Sequence, residues 1–312
     1  MLIWRDTTAL PDAHRGAACA IGNFDGVHLG HQAVISAAQA EARARSAPSA
    51  VLTFEPHPRS FFRPDAPPFR LMNATARQHR LERLGVDHLY ECPFNADLAA
   101  LSPEGFAREI LVGRYGIRHA VVGADFFFGK DRAGTAETLG ELGAELGFGV
   151  TVLPLVGTEA GEVSSTAIRA ALSEGRPEEA ARMLGHWHRI EGIVEHGEKR
   201  GRELGFPTAN ISIAGLHPPR FGVYAVLVDV LTGPHAGSYH GACSIGTRPQ
   251  FGGEVPNCET YLFDFSGDLY GETLSVALVA FLRPEQTFDG LDALVAQMQA
   301  DCARAREILA HA

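Results

Sequence analysis

Residues 21–35 read IGNFDGVHLGHQAVI and carry the first side chains able to do chemistry. His28 and His31 are three apart, so on a helix they lie one turn apart and face the same way. Gly22, Gly26 and Gly30 surround them. Glycines let backbone N–H groups approach a ligand closely. Apolar residues precede the stretch and an alanine-rich, helix-like run follows, so the loop joins a strand to a helix start. A helix start offers unpaired N–H groups and a partial positive charge, which suit phosphate. Two imidazoles there can hold phosphate oxygens and stabilise charge developing on a leaving pyrophosphate. The same spacing also fits a glycine-rich turn with solvated histidines, or a metal site. Zinc needs a third ligand and a placed base, and no HExxH occurs. The loop is not a GxGxxG fingerprint. No GxxxxGK[ST] occurs either, since neither Lys130 nor Lys199 precedes Ser or Thr.

A second constellation is GRELGFPTANI at 201–211. Pro207 fixes φ and Gly205 permits close backbone approach. Thr208 and Asn210 alternate along a strand, so both side chains point to one side. A hydroxyl and an amide carbonyl are hard oxygen ligands, suited to Mg2+ carrying a nucleotide. A polar strand end, with both groups satisfying the backbone, has the same pattern.

The elements that must position these groups change character along the chain. Up to about residue 185, strand patterns at 17–22, 50–54, 88–94, 119–126 and 149–155 alternate with helical patterns at 31–45, 74–85, 103–116 and 135–147. Two more short helices fit 164–184. This alternation predicts a Rossmann-like, doubly wound parallel sheet, with the first loop at a carboxyl strand end where such sheets bind ligands. From residue 186 on, runs at 188–197, 207–213, 222–231, 237–246, 258–265 and 272–282 are separated by turns, with no helix between. They predict a closed antiparallel structure, a six-stranded β-barrel or a sandwich. A long helical pattern at 287–310 follows. The fold class is therefore α/β plus all-β, with domains at 1–185 and 186–312.

The 312 residues, 46% hydrophobic, suffice for two such cores. Lys and Arg number 27 against 37 Asp and Glu, a formal net charge of −10. That argues against nucleic acid and anionic membrane as partners. No apolar run approaches a membrane span. The five cysteines form no CxxC, and their odd number points to free thiols in a reducing cytoplasm. Early acids and the lack of an apolar core argue against a signal peptide. A monomer or weak homo-oligomer acting on small molecules is expected.

GNFDGVHLGH resembles the HxGH signature of the nucleotidyltransferase superfamily. In its longer form it is similar to the N-terminal module of prokaryotic bifunctional riboflavin kinase/FAD synthetases. TFEPHPRSFF (53–62), VVGADFFFGKDRAGT (121–135) and VSSTAIRAAL (163–172) resemble three further motifs of that module, in the same order. GRELGFPTANI, PPRFGVYAV (218–226), SIGTRPQF (244–251), CETYLFDFSGDLYGE (258–272) and FLRPEQTF (281–288) resemble its riboflavin kinase module.

The resemblance implies two MgATP-dependent reactions, riboflavin to FMN and FMN to FAD. It implies that His28 and His31 contact the ATP phosphates and transition state, cradled by Gly22, Asn23, Phe24, Asp25 and Gly26. Ser164, Ser165, Thr166 and Arg169 would close on the triphosphate as hydroxyls and a guanidinium at a helix start. Phe62, Asp125 and Phe128 would line the flavin side, although at least one phenylalanine of 126–128 must be core. In the kinase module Glu259 would be the catalytic base, Thr208 and Asn210 the Mg2+ ligands, and Arg248 a phosphate contact. Phe127 stands where the family commonly has a basic residue, and Ala167 where a second arginine is frequent. Those departures leave a rival: a riboflavin kinase with an inactive nucleotidyltransferase domain.

Overall fold

The first strand, Leu2–Trp4 (β1), was not expected from sequence, being three residues long with Leu2 and Ile3 exposed. It lies on the edge of a sheet with Ala18–Ile21 (β2), Ser49–Glu55 (β3), His88–Pro93 (β4), His119–Gly123 (β5) and Gly149–Leu153 (β6). The order is β1-β4-β3-β2-β5-β6, and every pair is parallel. The order turns back between β2 and β5, the switch point of a doubly wound sheet. The computed structural model describes residues 1–158, 161–196, 204–247 and 256–311.

Ala18–Ile21 is buried throughout, as expected for a strand covered on both faces. Around it Leu52, Tyr90, Leu111, Val122 and Leu139 form one core, within which the Tyr90 and Tyr115 rings stack at 4.6 Å. The helix expected over 103–116 is a correction. A turn at Pro103–Gly105 leads into a π-helix, Phe106–Arg114. Arg15 donates from Nη2 to the Val112 carbonyl (2.7 Å) and from Nη1 to that of Gly113 (3.0 Å), closing the widened end. That capping side chain lies 97 residues away in sequence.

The second sheet is antiparallel. Its strands are Arg189–Ile193 (β7), Thr208–Ser212 (β8), Gly222–Val230 (β9), Gly237–Thr247 (β10), Pro256–Leu262 (β11) and Thr273–Arg283 (β12). The order is β7-β12-β9-β10-β11-β8. Just beyond β7 a single bridge joins Glu195 to Asn210 of the last strand, Glu195 N–H donating to the Asn210 carbonyl at 2.9 Å. The six strands thus close into a near-barrel around Ile190, Ile211, Val226, Ile245 and Leu278. Helix Leu291–Leu309 packs Ala305 and Leu309 on Ala225, Ala242 and Ala280, whose small side chains allow close approach. Arg283 grips Asp301 of that helix through Nε (2.9 Å) and Nη2 (2.8 Å).

By packing, the chain divides into two compact units, 1–66 with 77–164 and 67–76 with 165–312. Helices Ser165–Ser173 and Pro177–Leu184, expected within 164–184, pack in the second unit.

Candidate active sites

In the first unit, parallel pairing brings the carboxyl ends of β2, β3 and β5 to one edge, and the loop 22–28 leaves from the end of β2. Gly22 N–H donates to the Leu52 carbonyl (3.1 Å), and Thr53 Oγ1 donates to the Asn23 carbonyl (3.1 Å), so β3 holds the loop from beside it. Phe24 and Val27 are both buried, yet have φ of +51° and +44°. Positive φ is unfavourable for any L-residue and most so for a β-branched one. The loop is therefore held in a strained conformation by the packing of those two side chains. Gly26 (φ +88°) lies between them, and Asp25 is buried beside it.

His28 is the N-cap of helix Leu29–Ala44. Its Nδ1 accepts from His31 N–H at 3.3 Å, which leaves the ring proton on Nε2. The two imidazoles stack at 3.6 Å between centroids, tilted by only 17°. Burial, with His28 adding to it, holds the His31 pKa well below the ordinary histidine value, so this ring is neutral near pH 7. Its Nδ1 is buried without a hydrogen-bond partner among the described residues. Gly30 makes the stack fit, because a Cβ there would lie 3.1 Å from the His28 ring. Among the described residues no group of three or more His, Cys, Asp or Glu could hold a metal. The zinc reading of HxxH therefore has no third ligand in that set.

At the end of β3, His57 caps the short helix Pro58–Phe62, its Nδ1 accepting from Arg59 N–H at 3.0 Å. Phe62 is 64% exposed, its edge against Phe94 (5.7 Å). At the end of β5, Asp125 is exposed, and a hairpin with strands of two residues each pairs Phe127–Phe128 with Gly134–Thr135. Phe128 points into the core, against Phe106 (5.6 Å) and Phe126 (5.4 Å). Strand alternation turns Phe127 outward, where the Arg132 guanidinium lies 4.8 Å over its ring. The sequence did not distinguish these phenylalanines, since all follow a buried strand.

Ser164 ends the first unit, and Ser165, Thr166 and Arg169 open the helix that begins the second. Within the second unit Arg169 is fixed by its Nε, which donates to the Phe69 carbonyl at 2.6 Å, and by the Phe69 ring below its guanidinium.

In the barrel, register assembles the site. Asn210 lies opposite Glu259, and Glu259 lies opposite Ser244 on the next strand. Directly opposed residues put their side chains on the same face. Thr208 and Asn257 are each two residues along from members of this row, so they share that face. The other face of the same strands is interior, with Ile211, Cys243, Cys258 and Thr260 buried. Asn210 is 7% exposed. Its Nδ2 donates to the Thr208 carbonyl (3.3 Å), and its Oδ1 accepts from Asn257 Nδ2 (3.2 Å). Gly205 has φ of +83°, which allows the sharp entry into this strand, and Pro207 follows it. Phe206 sits edge-on to Tyr261 at 5.3 Å. Arg248 lies outside the described residues.

Both halves match family models. The model described as FAD synthetase covers residues 10–167, and the one described as riboflavin kinase covers residues 184–309. The chain belongs to the family of bifunctional riboflavin kinases/FMN adenylyltransferases. The bifunctional enzyme of Pseudomonas fluorescens is 41% identical over 312 residues, covering 99% of this chain and 98% of that one. That of Escherichia coli K12 is 39% identical (94% and 92%), and that of Bacillus subtilis 38% (90% and 89%). A crystal structure from Streptococcus pneumoniae, described as a macrolide-efflux protein, superposes with a TM-score of 0.83. It is 32% identical and covers 96% of this chain and 97% of its own. Among the described residues of the present chain, no helix is long and apolar enough to cross a membrane.

Two features of this family member escaped the sequence reading. Arg77 is fully buried and donates from Nη2 to Glu55 (2.9 Å) and Glu91 (3.1 Å), with Gln78 and Arg5 also on Glu91. This network ties the carboxyl ends of β3 and β4 together, and no local pattern signals it. Asn257 was legible: it stands two residues before Glu259 on a strand, so it must share that residue's face.

Proposed function

We propose that residues 1–185 carry the adenylyl transfer and residues 186–312 the kinase step of this bifunctional riboflavin kinase and FMN adenylyltransferase. The kinase module phosphorylates riboflavin to FMN with release of ADP. The other module adenylylates FMN to FAD with release of pyrophosphate. The substrates and products are riboflavin, FMN, FAD and ATP, with no nucleic-acid or membrane partner. The enzyme is cytoplasmic, in keeping with five free cysteines, and a monomer or weak homo-oligomer.

The observation that carries this reading is the row Asn210, Glu259 and Ser244 across three neighbouring strands, next to Thr208. Glu259 accepts the proton of the ribityl 5′-hydroxyl as that oxygen attacks the γ-phosphorus and ADP departs. The residues present fit Mg2+. Thr208 Oγ1 and Asn210 Oδ1 are hard donors on one face, and a small ion with two protein ligands completes its shell with water and phosphate. Bound there, Mg2+ would neutralise phosphate charge. Gly205, Pro207 and Arg248 would border the nucleotide.

In adenylyl transfer the FMN phosphate is the nucleophile. Its oxygen bonds to the α-phosphorus of ATP while the bond to pyrophosphate breaks. That oxygen is already ionised at neutral pH, so positioning and charge stabilisation suffice. His28 donates through Nε2–H, the proton position that its capping bond requires. A neutral His31 donates a hydrogen bond rather than a full charge. Gly22, Asn23, Phe24, Asp25 and Gly26 shape the cradle; a triphosphate role for Ser164, Ser165, Thr166 and Arg169 is what the family resemblance implies. Phe62 and Asp125 face the flavin, with Phe128 supporting them from the core. The rival with an inactive first module is disfavoured by the family match over residues 10–167. Arg132 over the Phe127 ring also returns a positive charge to that surface.

A product assay with riboflavin and MgATP tests the whole reading: FMN should appear first and FAD after it. FMN without FAD would revive the rival, and neither product would refute both modules.

A further inference from the structure

We infer that Thr53 is a positioning residue of the adenylyl-transfer site, whose hydroxyl fixes the peptide between Asn23 and Phe24 so that the Phe24 N–H faces the phosphates. The inference rests on the reading above that the loop 22–28 cradles the triphosphate. In a trans peptide the C=O and the N–H point in opposite directions. Thr53 Oγ1 donates to the Asn23 carbonyl at 3.1 Å. The N–H of Phe24 belongs to the same peptide, so it points away from Thr53 and from β3. The opening between β2 and β5, where the strand order turns back, lies on the side of β2 away from β3. Doubly wound sheets bind their ligands at such an opening. Phe24 is 1% exposed, and its N–H has no acceptor among the described residues. A buried N–H without a partner is costly, and an anion facing it supplies the missing acceptor.

The backbone itself works against this orientation. Phe24 has φ of +51°, unfavourable for an L-residue. Turning the 23–24 peptide over would carry Phe24 back to negative φ, so a specific contact must hold it as it stands. Thr53 is built for that. It is fully buried, its backbone is paired with Glu91 of β4, and its β-branched side chain is stiff about χ1. Asn23 is exposed, so without the hydroxyl its carbonyl would turn to water, which fixes no direction. At the far end of the loop Gln32 Nε2 donates to the Val27 carbonyl at 2.8 Å. That bond is four residues from Asn23 and leaves the 23–24 peptide to its own anchor. The same peptide carries the Phe24 ring, whose centroid lies 5.1 Å from that of His31. One hydroxyl thereby aligns both a phosphate donor and the wall of a proposed catalytic imidazole.

The test uses the full-length enzyme with FMN and MgATP, at a temperature well below the unfolding transition of each variant. Thr53→Val removes the hydroxyl and keeps the shape of the side chain. Its kcat for FAD formation should fall about 10- to 100-fold, with the KM for FMN within about twofold. Phosphorylation of riboflavin is the internal control and should not change. Thr53→Ser returns the hydroxyl and should restore most of the rate. Thr53→Ala replaces the valine variant if that one does not fold. A folded valine variant within about twofold of wild type overturns the inference. So does a serine variant as slow as the valine one, since the loss then comes from packing and not from the hydrogen bond. His31→Ala separates the two levels of the argument. If it leaves FAD formation unchanged, the reading of the loop falls and the inference falls with it.

Discussion

The two proposed phosphate sites differ in what holds them together. The nucleotidyltransferase loop depends on conformations that cost energy: Phe24 and Val27 at positive φ, and two imidazoles pressed into a stack. The kinase row depends on ordinary strand pairing, which puts Asn210, Glu259 and Ser244 side by side without any unusual backbone. The first arrangement, on the proposed reading, would set N–H donors close around a phosphate, at the expense of tolerance. A methyl group at Gly30 would lie 3.1 Å from the His28 ring, so the ring would have to give by a fraction of an ångström. The second tolerates replacement of a rim residue, because the sheet keeps its neighbours in place. Adenylyl transfer needs positioning and charge stabilisation, which suits a rigid loop. The kinase step needs a base and a cation held at a fixed separation, which suits a strand ladder.

The sharpest way to break this comparison is to remove one chemical group from each site. His31→Ala is expected to lower FAD formation by about 100-fold or more while FMN formation persists. Glu259→Ala should lower FMN formation by about 100- to 10,000-fold while supplied FMN is still adenylylated. If either folded variant loses both reactions, the division of chemistry between modules is wrong. Next in size is Gly30→Ala. A Cβ there would sit 3.1 Å from the His28 ring and displace it slightly from its place in the stack. FAD formation should fall about tenfold, a displacement of that kind being costly at a preorganised site, with circular dichroism and FMN formation unchanged.

Acid should act on both units in the same direction. His188 is buried, its Nε2 donates to the Leu71 carbonyl at 3.0 Å, and burial lowers its pKa to about 4. The fold keeps it neutral, while the unfolded chain takes up a proton below about pH 6.5. Its contribution to stability is therefore complete above pH 6.5 and is lost as pH falls toward 4, by at most about 3 kcal/mol. Denaturant titrations at pH 7 and pH 4.5 should show a smaller acid loss for His188→Gln. An equal loss would assign the acid sensitivity elsewhere. His31 has the same sign. The smallest effect should be Ser244→Ala, which removes one exposed hydroxyl from the kinase row and should change its rate about fivefold or less. A larger loss would mean that the row is as intolerant as the loop.

Much of this was legible beforehand, for identifiable reasons. The parallel strands are short runs of Val, Leu and Ile between helical patterns, and the barrel strands alternate between turns, so periodicity found them. Leu2–Trp4 is too short and too exposed to show a period. The π-helix over Phe106–Arg114 repeats almost like an α-helix, and the side chain that caps its end, Arg15, is distant in sequence. Among the site residues, the three consecutive phenylalanines carried no mark of which one turns inward. Phe128 is buried and Phe127 exposed because the pairing of Phe127–Phe128 with Gly134–Thr135 sets the alternation.

The amino-acid order alone determined the sequence of elements, the loop between β2 and its helix, and the face that Thr208 shares with Asn210. Each follows from a period of two or of 3.6 residues, or from a glycine at a chain reversal, all of them local. Tertiary structure alone decided that His31 is neutral, that Arg77 joins two strand ends, and that Glu259 faces Asn210. Those depend on burial and strand register, which bring together residues far apart in the chain and set the solvent around them.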